Sequence, residues 1–330
     1  MTMRRIIAFL FPLLLIYLLN PDRTQAEQKL AAEPLTHYIL AGIYERLDKL
    51  EESLGEYKAA VREDPQSPQL HLSLAVALIK QNKLKESIPE LKHAIKLASS
   101  GEVSQSESIS IEAHTILALV YSLQGKIDEA TREYEQALRG ALVVDPQNIR
   151  IHKSLGQIYL QQRKLSDAQK TYEFIVAIVP SDPEVHFYLG NIYEEQGKRP
   201  EAIEEFKLAL KLNPEYPDAL NSLGYLYAEE SINLEEAEQL IKKALEYEPN
   251  SGAYIDSLGW VYFKQGRYQE AIQELEKAVQ FLPDPLIYEH LGDAYLEQGN
   301  LIKARENWQK SLELSSKENQ RVEEKLKIYK

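Results

Sequence analysis

The sequence predicts an all-α solenoid of about eight helix-turn-helix repeats closed by a C-terminal capping helix. Three observations predict it: one eight-residue phrase recurs at a nearly constant interval, small and large residues follow each copy at fixed offsets, and Pro ends most copies. The phrase reads HKSLGQIY at 152–159, HFYLGNIY at 186–193, LNSLGYLY at 220–227, IDSLGWVY at 255–262 and YEHLGDAY at 288–295. The starts lie 34, 34, 35 and 33 residues apart, a period that belongs to stacked helical units rather than to one globular core. Weaker copies precede these at 37–44 (HYILAGIY), 71–78 (HLSLAVAL) and 114–121 (HTILALVY).

Each part of the repeat has a physical reason. If the first residue of the phrase is repeat position four, positions four, seven, eight and eleven share one stripe of a first helix. A matching stripe on the second helix carries a small residue and a large one, as in Ala168 with Tyr172, Ala202 with Phe206 and Ala271 with Leu275. Position eight is always Ala or Gly (Ala41, Ala75, Ala118, Gly156, Gly190, Gly224, Gly259, Gly292), which lets the two helix axes approach closely. Gly125, Gly197, Gly266 and Gly299 fall where the turn between helices needs a permissive backbone. Pro65, Pro146, Pro180, Pro214, Pro249 and Pro283 end the second helices. Pro89 and Pro200 are expected in or near a first turn, where a missing N–H is tolerated.

In this pattern of a bulky residue, Leu-Gly, Tyr, Ala, an aromatic and Pro, the chain resembles the tetratricopeptide repeat family, in the type found in exported bacterial proteins. The resemblance covers 34–316 and implies a right-handed superhelix. A charged amphipathic segment at 317–330 is expected to cap it. Departures from the period are expected to appear as loops or lengthened helices: a Ser/Glu-rich insertion at 99–110, extra residues at 139–144, and one added residue around 231–233.

Before the repeats, residues 1–26 read as a signal peptide. Arg4 and Arg5 precede an apolar run from Ile6 to Leu19. At about 1.5 Å per residue that run reaches roughly 21 Å, short of the ~30 Å of a bilayer core. Thr24-Gln25-Ala26 places the expected cleavage before Glu27, with 27–33 as a short linker; the alternative is an uncleaved anchor. Either way the chain is expected outside the bacterial cytoplasm, in the periplasm or envelope, with membrane proximity through this segment.

Charge and composition narrow the function. The 38 Lys and Arg against 51 Asp and Glu give a net charge of −13, which disfavours nucleic acid as a partner. Cys is absent, so disulfides, thiolate metal sites and Cys nucleophiles are excluded. No phosphate loop, nucleophile elbow, His-Glu-x-x-His or dinucleotide fingerprint occurs, so no enzyme and no cofactor is expected. Five histidines, His37, His71, His114, His152 and His186, recur at position four. Neighbouring repeats hold them on the order of 10 Å apart, too far to share one metal ion, so they are expected to pack, and no metal site is expected. Tyr44, Tyr121, Tyr159, Tyr193, Tyr227, Tyr262 and Tyr295, with Tyr57, Tyr134 and Tyr172, are expected in the core.

The family resemblance implies a concave groove lined by the first helices at positions two, five, nine, twelve and thirteen. By register the candidate partner-binding residues are Phe187, Asn191, Asn221, Tyr225, Asp256, Trp260 and Phe263. The aromatics are large apolar residues at positions the core does not require, although they could instead pack between neighbouring first helices. The two Asn side chains can clamp a peptide backbone as donor and acceptor. The carboxylate clamp of some chaperone-binding members is not matched, since Lys153 is followed by Gln157 and Tyr188. The expected function is a non-enzymatic scaffold that binds a peptide or protein segment in this groove. The alternative is a structural spacer in an envelope secretion or polysaccharide-export assembly, contacting through its convex face and the 99–110 insertion.

Overall fold

Short paired helices, the first of a pair often opened by Pro and closed by a tight turn, run through almost all of the computed structural model, which describes residues 34–99, 103–315 and 319–329. The predicted signal segment 1–26 and the linker 27–33 lie outside the described residues. Among the described residues there are 17 helices and no strand, and no helix is long and apolar enough to cross a membrane.

The chain divides into two compact units, one ending at Ile151 and one starting at His152. The first contains α1 (Pro34–Arg46), α2 (Leu50–Glu63), α3 (Pro68–Lys80), α4 (Leu84–Ala98), α5 (Val103–Leu123) and α6 (Ile127–Val144). Helix α7 (Ile149–Gln161) starts just before the division. The second unit continues with α8 (Leu165–Ile178), α9 (Pro183–Glu195), α10 (Arg199–Leu212), α11 (Pro217–Glu229), α12 (Leu234–Tyr247), α13 (Gly252–Lys264), α14 (Tyr268–Phe281), α15 (Pro285–Glu297) and α16 (Leu301–Leu314). The closing helix is α17 (Gln320–Ile328). Helices α1–α16 make eight pairs and α17 caps the last.

Helix starts follow the sequence signals. Asp182 and Asp284 accept hydrogen bonds from the Glu184 and Leu286 backbone N–H groups at 3.0 and 2.8 Å, and Pro183 and Pro285 occupy the next position. Pro89 lies further inside its helix than expected, the sixth residue of α4. The turn within each pair requires a left-handed residue. Gly197 takes φ +75° there, and Arg163 takes φ +56° at the same place in the pair before it; a non-Gly residue in that conformation costs about 1–2 kcal/mol. Five of the turns are also tied by their own Tyr and a cation five residues on. Lys198 N–H donates to the Tyr193 carbonyl at 2.8 Å and its ammonium lies 5.5 Å from the ring centroid. Tyr44 with Lys49, Tyr121 with Lys126, Tyr159 with Lys164, and Tyr262 with Arg267 repeat the contact.

Packing inside a pair turns on position eight. A Cβ built on Gly190 would fall 2.5 Å from the Phe206 ring, and one on Gly156 would fall 2.7 Å from the Tyr172 ring. Gly is therefore what lets a full aromatic ring sit on the first helix. The core of the second unit follows, with Phe206, Leu226, Tyr227, Ile241, Ile255, Val261, Leu275 and Trp308 all buried. The first unit holds smaller clusters, Leu54, Tyr57, Leu74 and Leu78, then Leu72, Leu91, Leu117 and Val120.

Three expected core tyrosines are not fully buried: Tyr44 and Tyr193 are half-buried and Tyr134 is 43% exposed. Tyr134 lies on α6, the last complete helix of the first unit. The two long insertions prove to be partners. Residues 103–110 add turns to the start of α5 and 139–144 add turns to the end of α6. The extensions meet closely, since a Cβ on Gly140 would fall 3.1 Å from the Glu107 side chain.

Candidate groove on the first helices of the second unit

The position-four histidines join the two helices of a pair. The His37, His71, His114 and His186 Nδ1 atoms lie 2.6–2.7 Å from carboxylate oxygens of Glu56, Glu90, Glu133 and Glu205, each 19 residues on. His71 and His186 also place Nε2 3.1 and 3.0 Å from the carbonyls of Pro65 and Pro180, which end the preceding repeats. His152 departs from the set. Thr171 stands at the matching position, and the His152 ring packs 4.3 Å from Phe174. The expectation of packing histidines understated these pairs, and the signal for them was the recurrence of Glu nineteen residues after His. Among the described residues one trio, His71, Glu90 and His93, brings three metal-ligating atoms within 4.8 Å of one another.

The seven groove candidates lie on α9, α11 and α13, and they are not equivalent. On α13, Trp260 is 8% exposed and Asp256 is 5% exposed. Trp260 stacks on His290 of α15 at 4.0 Å and on Phe263 at 4.7 Å, and its Nε1–H donates to Glu229 of α11 at 2.6 Å. Asp256 accepts from His290 Nδ1–H at 2.9 Å. These two side chains bind three successive first helices together, so register alone mistook a packing element for an open surface. Phe263 is half-buried, with Tyr268 at 5.7 Å as a second ring neighbour.

On α9, Phe187 belongs to a separate aromatic group with Tyr188, Phe206 and Tyr216 at 5.6, 6.0 and 5.1 Å. Asn191 is half-buried on the same helix. On α11, Asn221 is half-buried, but its Oδ1 is fully enclosed and makes no hydrogen bond within the protein. Tyr225 is half-buried, and burial first, then Glu229, Asp256 and Glu194, push its hydroxyl well above the usual phenol range; Arg321 opposes them. It therefore stays a donor at neutral pH. Glu194 is raised above the ordinary carboxylate range, chiefly by burial and then by Glu229 and Glu195, against the pull of Arg199.

The residues that sequence reasoning missed come from the far end. His290 sits at position six of the eighth repeat, 34 residues after Asp256, so a search along the period for polar partners would have found it. The cap supplies cations to that end: Arg321 and Lys325 bond Glu289 at 2.7 Å, and Lys325 reaches Asp293 at 2.6 Å. Burial alone would raise the Glu289 carboxyl, but Lys325 and Arg321 outweigh it and hold it below its usual value. The half-buried polar candidates that remain on α9 and α11 are Asn191, Glu194, Asn221 and Tyr225, and Trp260, His290 and Asp256 are packed between the first helices that follow.

Paired helices of this length, period and close approach define a helical-repeat protein of the tetratricopeptide type. Profiles described as "TPR repeat" match 190–230 and 259–299, and profiles described as "Tetratricopeptide repeat" match 40–102, 121–192, 217–251 and 286–318. The chain belongs to the tetratricopeptide repeat family. Among curated proteins it is 40% identical over 58 residues to TPR repeat-containing protein PA4667 of Pseudomonas aeruginosa, covering 18% of this chain and 10% of that one. It is 29% identical over 75 residues to tetratricopeptide repeat protein 13 of Homo sapiens, covering 23% and 9%. The chain thus matches about a tenth of the length of these relatives. Among solved structures, a tetratricopeptide repeat protein from Parabacteroides merdae superposes with a TM-score of 0.57 at 20% identity, over 80% of this chain and 99% of that one. The APC/C hetero-tetramer Cut9–Hcn1 gives 0.57 at 19% identity, over 85% and 52%. These likenesses extend to the fold.

Proposed function

We propose that the chain is a non-enzymatic scaffold that captures an extended segment of another protein along α9, α11 and α13, outside the cytoplasm of a bacterial cell. The observation that carries this reading is the half-buried Asn221 of α11, whose enclosed Oδ1 has no donor within the protein and must rotate outward to meet one from a bound segment. A buried acceptor left unmade costs about 1–3 kcal/mol, and a backbone N–H from a bound segment removes that cost. Asn191, half-buried on α9 one repeat away, offers a second amide. Glu194 and Glu229 favour a segment that brings Lys or Arg side chains, and discharging the like charge beside Glu194 adds to the gain. Phe187 and Phe263 offer half-buried ring faces at the two ends. Trp260 and Asp256 serve as the floor that keeps these helices in register.

Export rests on the basic, apolar and small-residue segments of 1–26. The spacer reading is favoured by a different observation: Leu119 and Leu123 of the lengthened α5 and Ile127, Val143 and Val144 of its partner α6 are all exposed. In-cell photo-crosslinking from position 191, compared with position 119 and combined with mass spectrometry of the N-terminus, tests both. A discrete protein adduct from 191 that disappears in Asn221→Ala, on a chain starting at Glu27, supports the groove and export. Adducts from 119 alone support the spacer, and a chain retaining Met1 in the cytoplasm overturns export.

A further inference from the structure

The second repeat carries a side-chain cluster that the other pairs lack. His71 on α3 and Glu90 on α4 form the same pair as in three other repeats, but here α4 adds His93 one turn beyond Glu90. The two imidazole rings lie 5.2 Å apart, and the ligating atoms of all three residues fall within 4.8 Å of one another. At the place of His93 the other His-bearing repeats have Ala59, Gln136, Phe174 and Leu208. Stapling the helices therefore does not require His93.

We propose that His71, Glu90 and His93 bind a divalent first-row transition ion, Zn²⁺ in the first instance, clamping α3 to α4. Four features of the site support this. The donor set is two imidazoles and one carboxylate, which suits borderline cations such as Zn²⁺ and excludes a preference for Ca²⁺ or Mg²⁺, whose sites are built from oxygen. His71 already has the second contact that a ligating imidazole needs: its Nε2 lies 3.1 Å from the Pro65 carbonyl. With Nε2–H donating there, the tautomer is fixed and the Nδ1 lone pair is aimed at Glu90. That nitrogen stands 2.7 Å from Glu90 Oε2, a contact between two acceptors unless a proton or a metal ion lies between them. Zn²⁺ does so with a neutral ring, and binding releases the proton it replaces.

The adjustment needed is small. Zinc–nitrogen and zinc–oxygen bonds near 2.0–2.1 Å put tetrahedral donors about 3.3 Å apart. Glu90 must withdraw from His71 by about half an ångström, and His93, an exposed side chain, must swing in by about 1.5 Å at most. Three protein ligands leave at least one coordination position on the solvent side for water or for a ligating side chain of a bound protein. The site lies in the first unit and is independent of the groove on α9, α11 and α13, so either can fail without the other.

The test uses the untagged chain as purified from cells, stripped with a chelator and titrated with Zn²⁺ by calorimetry, with native mass spectrometry reading stoichiometry and Co²⁺ absorption reading geometry. The expected result is one equivalent of Zn²⁺, a tetrahedral Co²⁺ spectrum and a rise in Tm on metal addition. His93→Ala should lose at least tenfold in affinity and most of the Tm rise, while its metal-free Tm stays at that of the parent. Failure to take up one equivalent, or undiminished uptake in His93→Ala, overturns the site. A metal-dependent Tm rise that survives in His93→Ala does so as well.

Discussion

Replacing Trp260 separates a packing role from a binding role, because the ring is all but enclosed. Trp260→Ala removes the stack on His290 at 4.0 Å, the stack on Phe263 at 4.7 Å and the Nε1–H bond to Glu229 at 2.6 Å. Loss of a buried Trp side chain costs about 3–5 kcal/mol when the cavity does not collapse. His290 and Asp256 hold the cavity walls apart, so the upper part of that range applies. For a unit of this size each kcal/mol moves Tm by about 2–4 °C, and a loss of about 4–5 kcal/mol therefore lowers Tm by roughly 8–20 °C. Trp260→Phe retains ring stacking and loses the hydrogen bond alone. Since Arg199 still lies 3.8 Å from Glu229, that variant should lose only about 1–2 kcal/mol. Thermal and urea melts of the full chain followed by circular dichroism read both, with hydrogen exchange localising the loss to α11, α13 and α15. A Tm within a degree or two of the parent for Trp260→Ala, with unchanged protection of those helices, would refute the reasoning and return Trp260 to the open groove.

Further expectations concern the repeat itself. Gly190→Ala should lose about 1–3 kcal/mol by driving a methyl into Phe206, and adding Phe206→Leu should restore part of it, as the second repeat already pairs Ala75 with Leu91; urea midpoints that do not shift contradict the close approach. Arg163→Gly should gain about 1 kcal/mol, since φ +56° suits Gly and the Arg163 ion pair with Glu195 is exposed; a loss of stability contradicts it. A double-mutant cycle on His186 and Glu205 should return a coupling of about 1 kcal/mol or more, where a value near zero denies the pair a stabilising part. The Glu289 carboxyl has a lowered folded value, so its contribution is present above the ordinary carboxylate range and is lost as pH falls through the folded value. Acid melts of the parent should therefore lose stability more steeply than those of Glu289→Gln, and parallel curves contradict it. Glu194 has the opposite sign: its folded value is raised, so its charged form opposes folding above that value, and Glu194→Gln should raise the Tm at neutral pH.

The repeat pattern was legible because it is written in steric absolutes. Gly or Ala at position eight, Pro at the repeat end and a large residue sixteen positions beyond the Gly leave one way to pair the helices. Turn residues were less legible where the chain accepts strain, as at Arg163 and Ser231, which take left-handed backbone angles without being Gly. Tyr134 was misread because the position of a tyrosine in its own repeat does not fix how far its ring is covered. Trp260 was misread for a related reason. Position nine can face outward, but His290 and Glu229 from the repeats on either side enclose it. The placement of Asn191 and Asn221 on first helices was legible in the register, and the contacts made across repeats were not. The His–Glu pairs lay between these cases, visible as a nineteen-residue offset once both residue types are tracked together.

The central claim is that α9, α11 and α13 bind a protein segment through Asn221 and its neighbours, over a floor set by Trp260. The measurement that tests it most directly is the affinity of the segment crosslinked from position 191, made as a synthetic peptide, for the parent chain and for Asn221→Ala. The account predicts at least a tenfold weaker Kd for Asn221→Ala, about 1.4 kcal/mol, with Tm unchanged or slightly raised because a buried unpaired acceptor has been removed. An unchanged Kd in Asn221→Ala, at an unchanged Tm, would contradict the claim and place the partner on another face of the solenoid.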